Sequence, residues 1–147
     1  MRNLLLLGML GLASACPEGK VEVIGSIESK CCKVNSYASA SGDSLTCEVT
    51  GGNIENCPKG NITIPDGITS TDFMAFYGCP NINKVTLPEG LVRIKAYSFT
   101  GSSVSEVEFP SSLEDIHREA FRYSGLKTLD LTSTKIIFID KIGRAHV

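Results

Sequence analysis

Short stretches of alternating apolar and polar residues recur from Asn61 to Asp140, and a longer apolar period is laid over them. In "KVTLP", Val85 and Leu87 fall on one side and Lys84 and Thr86 on the other, the period-2 pattern of a strand with one buried face. Pro88 then ends the element, because proline has no N–H to give to a ladder. The unit recurs as "TIPDGITSTDFMAFYGCPNI", "TLPEGLVRIKAYSFTGSSV", "EFPSSLEDIHREAFRYSGL" and the partial "DLTSTKIIFI". Pro65, Pro88 and Pro110, with Thr132 at the next equivalent position, are spaced by 23, 22 and 22 residues. Phe76, Phe99 and Phe121 each follow their proline by 11 residues. The step to the next aliphatic residue is 6 from Phe76 to Ile82, but 5 from Phe99 to Val104 and from Phe121 to Leu126, so one residue in "GCPNI" makes the first period longer.

A period of about 20–29 residues with aliphatics at fixed offsets predicts a leucine-rich-repeat solenoid. One coil cannot bury its apolar side alone, so neighbours stack, about 4.8 Å apart, and share a continuous core. The predicted class is α/β: short parallel strands on a concave face, irregular or short helical turns on a convex face, and a small cysteine-rich cap before the first coil. Leu91, Ile94 and Phe99 are expected to carry the second coil back under the core. The pattern resembles the BspA-like leucine-rich repeats, approximately I-x-I-P-x-x-[VL]-x-x-I-G-x-x-A-F-x-x-C-x-x-L. Cys79 stands at the family's cysteine, while Thr71 replaces the Ile seen at Ile94 and Ile116, and Ser98 replaces Ala. The Gly expected after that Ile is Asp72, Lys95 or His117. The resemblance implies a secreted or surface module for adhesion or protein binding, without catalysis.

The two ends follow a different pattern. Residues 1–15 combine Arg2, an apolar run from Leu4 to Leu12 and the small residues Ala13-Ser14-Ala15, which predicts a secretory signal peptide cleaved after Ala15. Nine apolar residues are too few for a bilayer core that needs about 20, so no membrane span is expected here. A lipoprotein acylated at Cys16 is the lesser alternative, since Ala13 stands where Leu is usual. At the other end "KIGRAHV", residues 141–147, back-translates to a sequence resembling a short-read library adapter, so this tail is expected to be artefactual and the native chain to continue beyond Asp140. Arg2, Lys141 and Arg144 lie in these ends; the remaining 11 basic and 16 acidic residues give residues 16–140 a net charge of −5. That balance argues against a nucleic-acid partner, which needs clustered Lys and Arg. His117 is the sole histidine of that segment, which excludes multi-histidine zinc sites.

Residues 16–60 fit no repeat and are expected to form the cap. "KVEVIGSI" and "SLTCEVT" alternate as strands do, on either side of "NSYASASGDS". Cys16, Cys31, Cys32, Cys47 and Cys57 are disulfide candidates in an exported chain. Cys79 aligns with Ser102 and Ser124 inside a coil and is expected to be a free buried thiol, leaving five cysteines in the cap. That odd count requires one unpaired cysteine, lipidation of Cys16, or recruitment of Cys79. No paired C-x-x-C spacing points to a metal.

Two stretches gather side chains capable of chemistry. "SLEDIHREAF", residues 112–121, brings together Glu114, Asp115, His117, Arg118 and Glu119 in the manner of a hydrolase site, with His117 as the acid/base candidate. Alignment with the other coils makes Leu113, Ile116, Ala120 and Phe121 its inward residues and puts the charges in variable outward slots. The strands' outward columns are Asn61, Lys84, Glu106, Thr128 and Thr63, Thr86, Glu108, Asp130. Glu106, Glu108 and Asp130 form an acidic patch suited to a basic protein ligand. Calcium lacks the ligand-dense loop it usually requires. Lys84, Thr86, Glu106, Glu108, Thr128 and Asp130 are therefore the candidate ligand-binding residues, Asn61 in "NIT" a candidate glycosylation site, and neither metal nor cofactor is expected. The expected function is extracellular protein binding or adhesion; a structural surface coat or, less favoured, a His117 hydrolase are the alternatives.

Overall fold

The computed structural model describes residues 16–36, 43–47 and 54–140. The expected signal peptide, the terminal "KIGRAHV" and most of "NSYASASGDS" lie outside the described residues.

Three strands precede the first coil: β1 (Lys20–Gly25), β2 (Lys30–Ser36) and β3 (Asp43–Thr46). Each coil then supplies a strand before its proline position and a second one after it. These are β4 (Gly60–Thr63) and β5 (Ile68–Thr71), β6 (Ile82–Thr86) and β7 (Arg93–Ile94), β8 (Glu106–Glu108) and β9 (Asp115–Ile116), with β10 (Phe138–Ile139) in the partial fourth coil. The ladder order is β10-β9-β7-β5-β3-β2-β1-β4-β6-β8. Two parallel stacks of strands thus face each other, joined through the cap. Strand β1 makes the join: Lys20–Val23 pairs antiparallel with β2, while Ile24 and Gly25 pair with β4. At Gly25 a Cβ would collide with the backbone oxygens of Glu28 and Lys59, so only glycine lets the chain cross there.

The α/β expectation is corrected: the described residues form a β-solenoid with almost no helix, a single 3-10 turn at Ile54–Asn56. The return arm is a second parallel sheet, with Thr71, Ile94, Ile116 and Ile139 in register. The arc beyond it cannot be helical, because two residues four apart take left-handed conformations in each of the three full coils. They are Met74 and Gly78, Tyr97 and Gly101, Glu119 and Tyr123. A left-handed residue stops a right-handed helix at once.

The core confirms the inward set. Ile62, Val85, Leu91, Ile94, Leu113, Ile116 and Ala120 are buried, and the three phenylalanines form a ladder through the coils. Phe76 and Phe99 stack with centroids 5.0 Å apart, Phe99 and Phe121 at 5.3 Å, their planes parallel within 5°. Thr71 and Ser98, the two departures from the family pattern, are both fully buried. They meet across adjacent coils, Oγ1 to Oγ at 2.7 Å, while Ser98 Oγ also lies 2.7 Å from the Lys95 carbonyl and 3.0 Å from that of Asp72.

All six cysteines are paired: Cys16–Cys31, Cys32–Cys47 and Cys57–Cys79. Cys79 is therefore not a free thiol, and the odd count in the cap disappears. The reason lies in the repeat itself. Ser102 and Ser124 in the same column turn their hydroxyls onto the carbonyls of Phe99 and Phe121 in their own coils. Cys79 belongs to the coil next to the cap, and Cys57 precedes it by one 22-residue period, stacked where an earlier coil's residue would stand. Strand β3, parallel to β5, continues the same stacking into the cap.

Candidate binding face

Strand alternation builds the outward face of the β4-β6-β8 sheet. Ile62 and Val85 are buried, so their neighbours on either side must point to solvent. The ladder puts Asn61 beside Lys84 and Lys84 beside Glu106, and Thr63 beside Thr86 and Thr86 beside Glu108, the two columns that the period predicts.

Lys84 lies at the centre of this face. Its Nζ is 2.8 Å from a Glu108 carboxylate oxygen and 3.5 Å from one of Glu106. Thr86 Oγ1 donates to Glu108 at 3.3 Å. The hydrogen bond to Glu108 raises the Lys84 pKa above its usual value, and the same contact lowers that of Glu108. Asp130 accepts from the Thr132 hydroxyl at 2.6 Å and from its backbone N–H at 3.1 Å, which lowers its pKa too. Glu106, Glu108 and Lys84 thus form an ion-paired cluster of net charge −1, and Asp130 adds a further carboxylate braced by Thr132. Thr128 is exposed in the same region.

The cap adds residues to this face. Ile24 is 56% exposed and pairs with Thr63, extending the Thr63-Thr86-Glu108 column with an apolar residue. Ser26 Oγ accepts the backbone N–H of Asn61 at 2.7 Å. A signal for Ile24 was present in "KVEVIGSI": Val23 and Ile24 are adjacent, and a strand with one buried face can hide only one of them.

The charges of "SLEDIHREAF" do not converge. Asp115 pairs with Arg93 at 2.9 Å, and Glu119 with Arg122 at 2.6 Å. The His117 ring packs edgewise near Phe138, centroids 5.6 Å apart, and its Nε2 is buried with no hydrogen-bond partner among the described residues. The described residues contain no group of three or more His, Cys, Asp or Glu placed to hold a metal. None of their helices is long and apolar enough to cross a membrane. Cys16, the alternative acylation site, already shares its sulfur with Cys31, and a sulfur in a disulfide cannot also carry a thioether.

Stacked coils of near-constant period, a stacked phenylalanine at one position and a polar outward sheet face define a repeat solenoid of the leucine-rich class. The profile of the BspA type leucine rich repeat region, in six copies, matches residues 48–143, and the chain belongs to that family. No curated protein matches the chain.

Proposed function

We propose that the protein is exported and binds a protein ligand through the outward face of the β4-β6-β8 sheet, without catalysis. The carrying observation is the register of Asn61, Lys84, Glu106 and Thr63, Thr86, Glu108, which presents six side chains that the core does not need. Leucine-rich repeats commonly bind proteins, and a solenoid sheet supplies an extended surface for it. Three disulfides favour an oxidising compartment, in keeping with residues 1–15 as a cleaved leader and with a cap–repeat organisation divided near residue 60. The carboxylates Glu106, Glu108 and Asp130 favour a basic partner, because complementary charge speeds and orients association. Immobilised residues 16–140 should capture a ligand from intact cell surfaces. Glu106→Lys, Glu108→Lys and Asp130→Lys together should abolish capture, while Arg118→Glu on the arc should not. Undiminished capture by the triple variant refutes this face.

A further inference from the structure

We infer that Asn61 carries an N-linked oligosaccharide that covers the cap-proximal half of this face. "NIT" is the sole N-x-S/T motif in the whole sequence. Strand β4 presents its two chemical groups together: Asn61 and Thr63 are exposed, and Ile62 between them is 1% exposed and locked in the core. In an extended strand residues i and i+2 share a face, so the amide that accepts the sugar and the hydroxyl the transferase requires both stay in solvent after folding. A glycan there disturbs no packing and carries its bulk outward.

The neighbours leave room for it. Lys84, the adjacent residue in the column, leans away toward Glu106 and Glu108, to which it is ion-paired. On the other side Ser26 contacts the Asn61 backbone N–H. A branched oligosaccharide rooted at Asn61 therefore stands over Ile24, Thr63 and Lys84 and leaves the Glu108–Asp130 end open. Of the six outward side chains, a protein ligand is then left Thr86, Glu106 and Glu108 on the far half, and the 56% exposed Ile24 is screened from non-specific contact. The site rests on the proposal that the chain is exported, and specifically through a eukaryotic secretory pathway, which supplies the transferase; its occupancy does not depend on any ligand.

Residues 16–147 would be expressed behind a standard eukaryotic secretory leader and purified from medium, or from membranes if retained, since transfer occurs on the entering chain. Peptide mass before and after peptide-N-glycosidase treatment reads the site. The expected result is a glycopeptide at Asn61 from which the enzyme releases the sugar, leaving an aspartate in place of the asparagine. That glycopeptide should be absent from Asn61→Gln and Thr63→Ala. Acetylation of Lys84 should be several-fold slower in the glycosylated protein than after enzymatic removal, with Lys127 unchanged. An unmodified Asn61, or a Lys84 labelled equally in both forms, overturns the inference. Loss of ligand capture by the Glu→Lys and Asp→Lys variants is read separately, so the two proposals fail independently.

Discussion

Thr71 and Ser98 depart from the family pattern at two positions, and the structure makes them one hydrogen-bonded pair. The direction of that bond follows from the other partners. Ser98 Oγ also touches the carbonyls of Lys95 and Asp72, which can only accept, so Ser98 gives its proton to a carbonyl and Thr71 donates to Ser98. Ser98→Ala then leaves the fully buried Thr71 hydroxyl without a partner, a desolvation cost of about 1–3 kcal/mol. Thr71→Val removes the donor but leaves Ser98 bonded to its carbonyl, so its cost is about 0.5–1 kcal/mol, the net worth of one hydrogen bond. In the double variant no hydroxyl is orphaned, and the two carbonyls keep the backbone N–H groups of Ser98 and Ala75. Its cost should stay near about 1 kcal/mol, less than the sum of the singles by about 1–2 kcal/mol. Urea unfolding of the four proteins with disulfides intact measures this as midpoint shifts at constant slope. Additivity within about 0.5 kcal/mol refutes the pairing, and Thr71→Val costing more than Ser98→Ala refutes the assigned direction.

Phe99→Ala should destabilise by about 3–5 kcal/mol, and more than Phe121→Ala, because Phe99 is stacked on both faces and Phe121 on one; urea midpoints give the order. Gly101→Ala should cost about 1–2 kcal/mol from backbone strain alone, since its φ is 71° and the nearest atom to an added Cβ is Gly78 Cα at 3.7 Å; thermal melts report it. For the Lys84–Glu108 pair, the lowered Glu108 pKa means a contribution present above 4.5 and lost as pH falls through the folded-state value. The raised Lys84 pKa means one present below 10.5 and lost as pH rises through the folded-state value. Lys84→Met should therefore differ in urea midpoint from the parent near neutral pH and converge with it in acid; a gap that stays constant as the carboxylates are protonated contradicts the pairing.

The repeat is legible because a solenoid writes each packing requirement several times. Phe76, Phe99 and Phe121 share one offset from proline, so the ladder and the inward positions follow from counting. The outward columns follow for the same reason, since alternation about Val85 leaves no choice for Lys84 and Thr86. The second sheet is not legible: β7 and β9 are two residues each, too short to show any alternation. The arc reads as helical turns because the left-handed residues that forbid a helix include Met74, Tyr97, Glu119 and Tyr123, none of which signals that conformation by type. Comparing Cys79 with Ser102 and Ser124 further along the chain suggests a free thiol, whereas comparison backwards by one period finds Cys57, its true partner. Pairing across coils, such as Lys84 to Glu108, depends on rotamers that a column of letters does not contain.

The division within each coil bears on how such a surface comes to bind anything in particular. Val85 sits in the core while Lys84 and Thr86 on either side both reach Glu108 of the next strand on the outer face, so the strand separates residues that hold the fold from residues that meet solvent. Exposed ion pairs add little stability, which leaves the outward positions free to be chosen for a partner. On the arc, left-handed backbone and stacked rings fix the inward positions, while the outward slots vary from coil to coil. His117 makes the same point, because its ring lies against Phe138 with Nε2 buried, an imidazole used as packing against the last coil. On the proposed reading, recognition falls to the sheet face, where substitutions change the outward side chains and leave the buried residues of the stack in place.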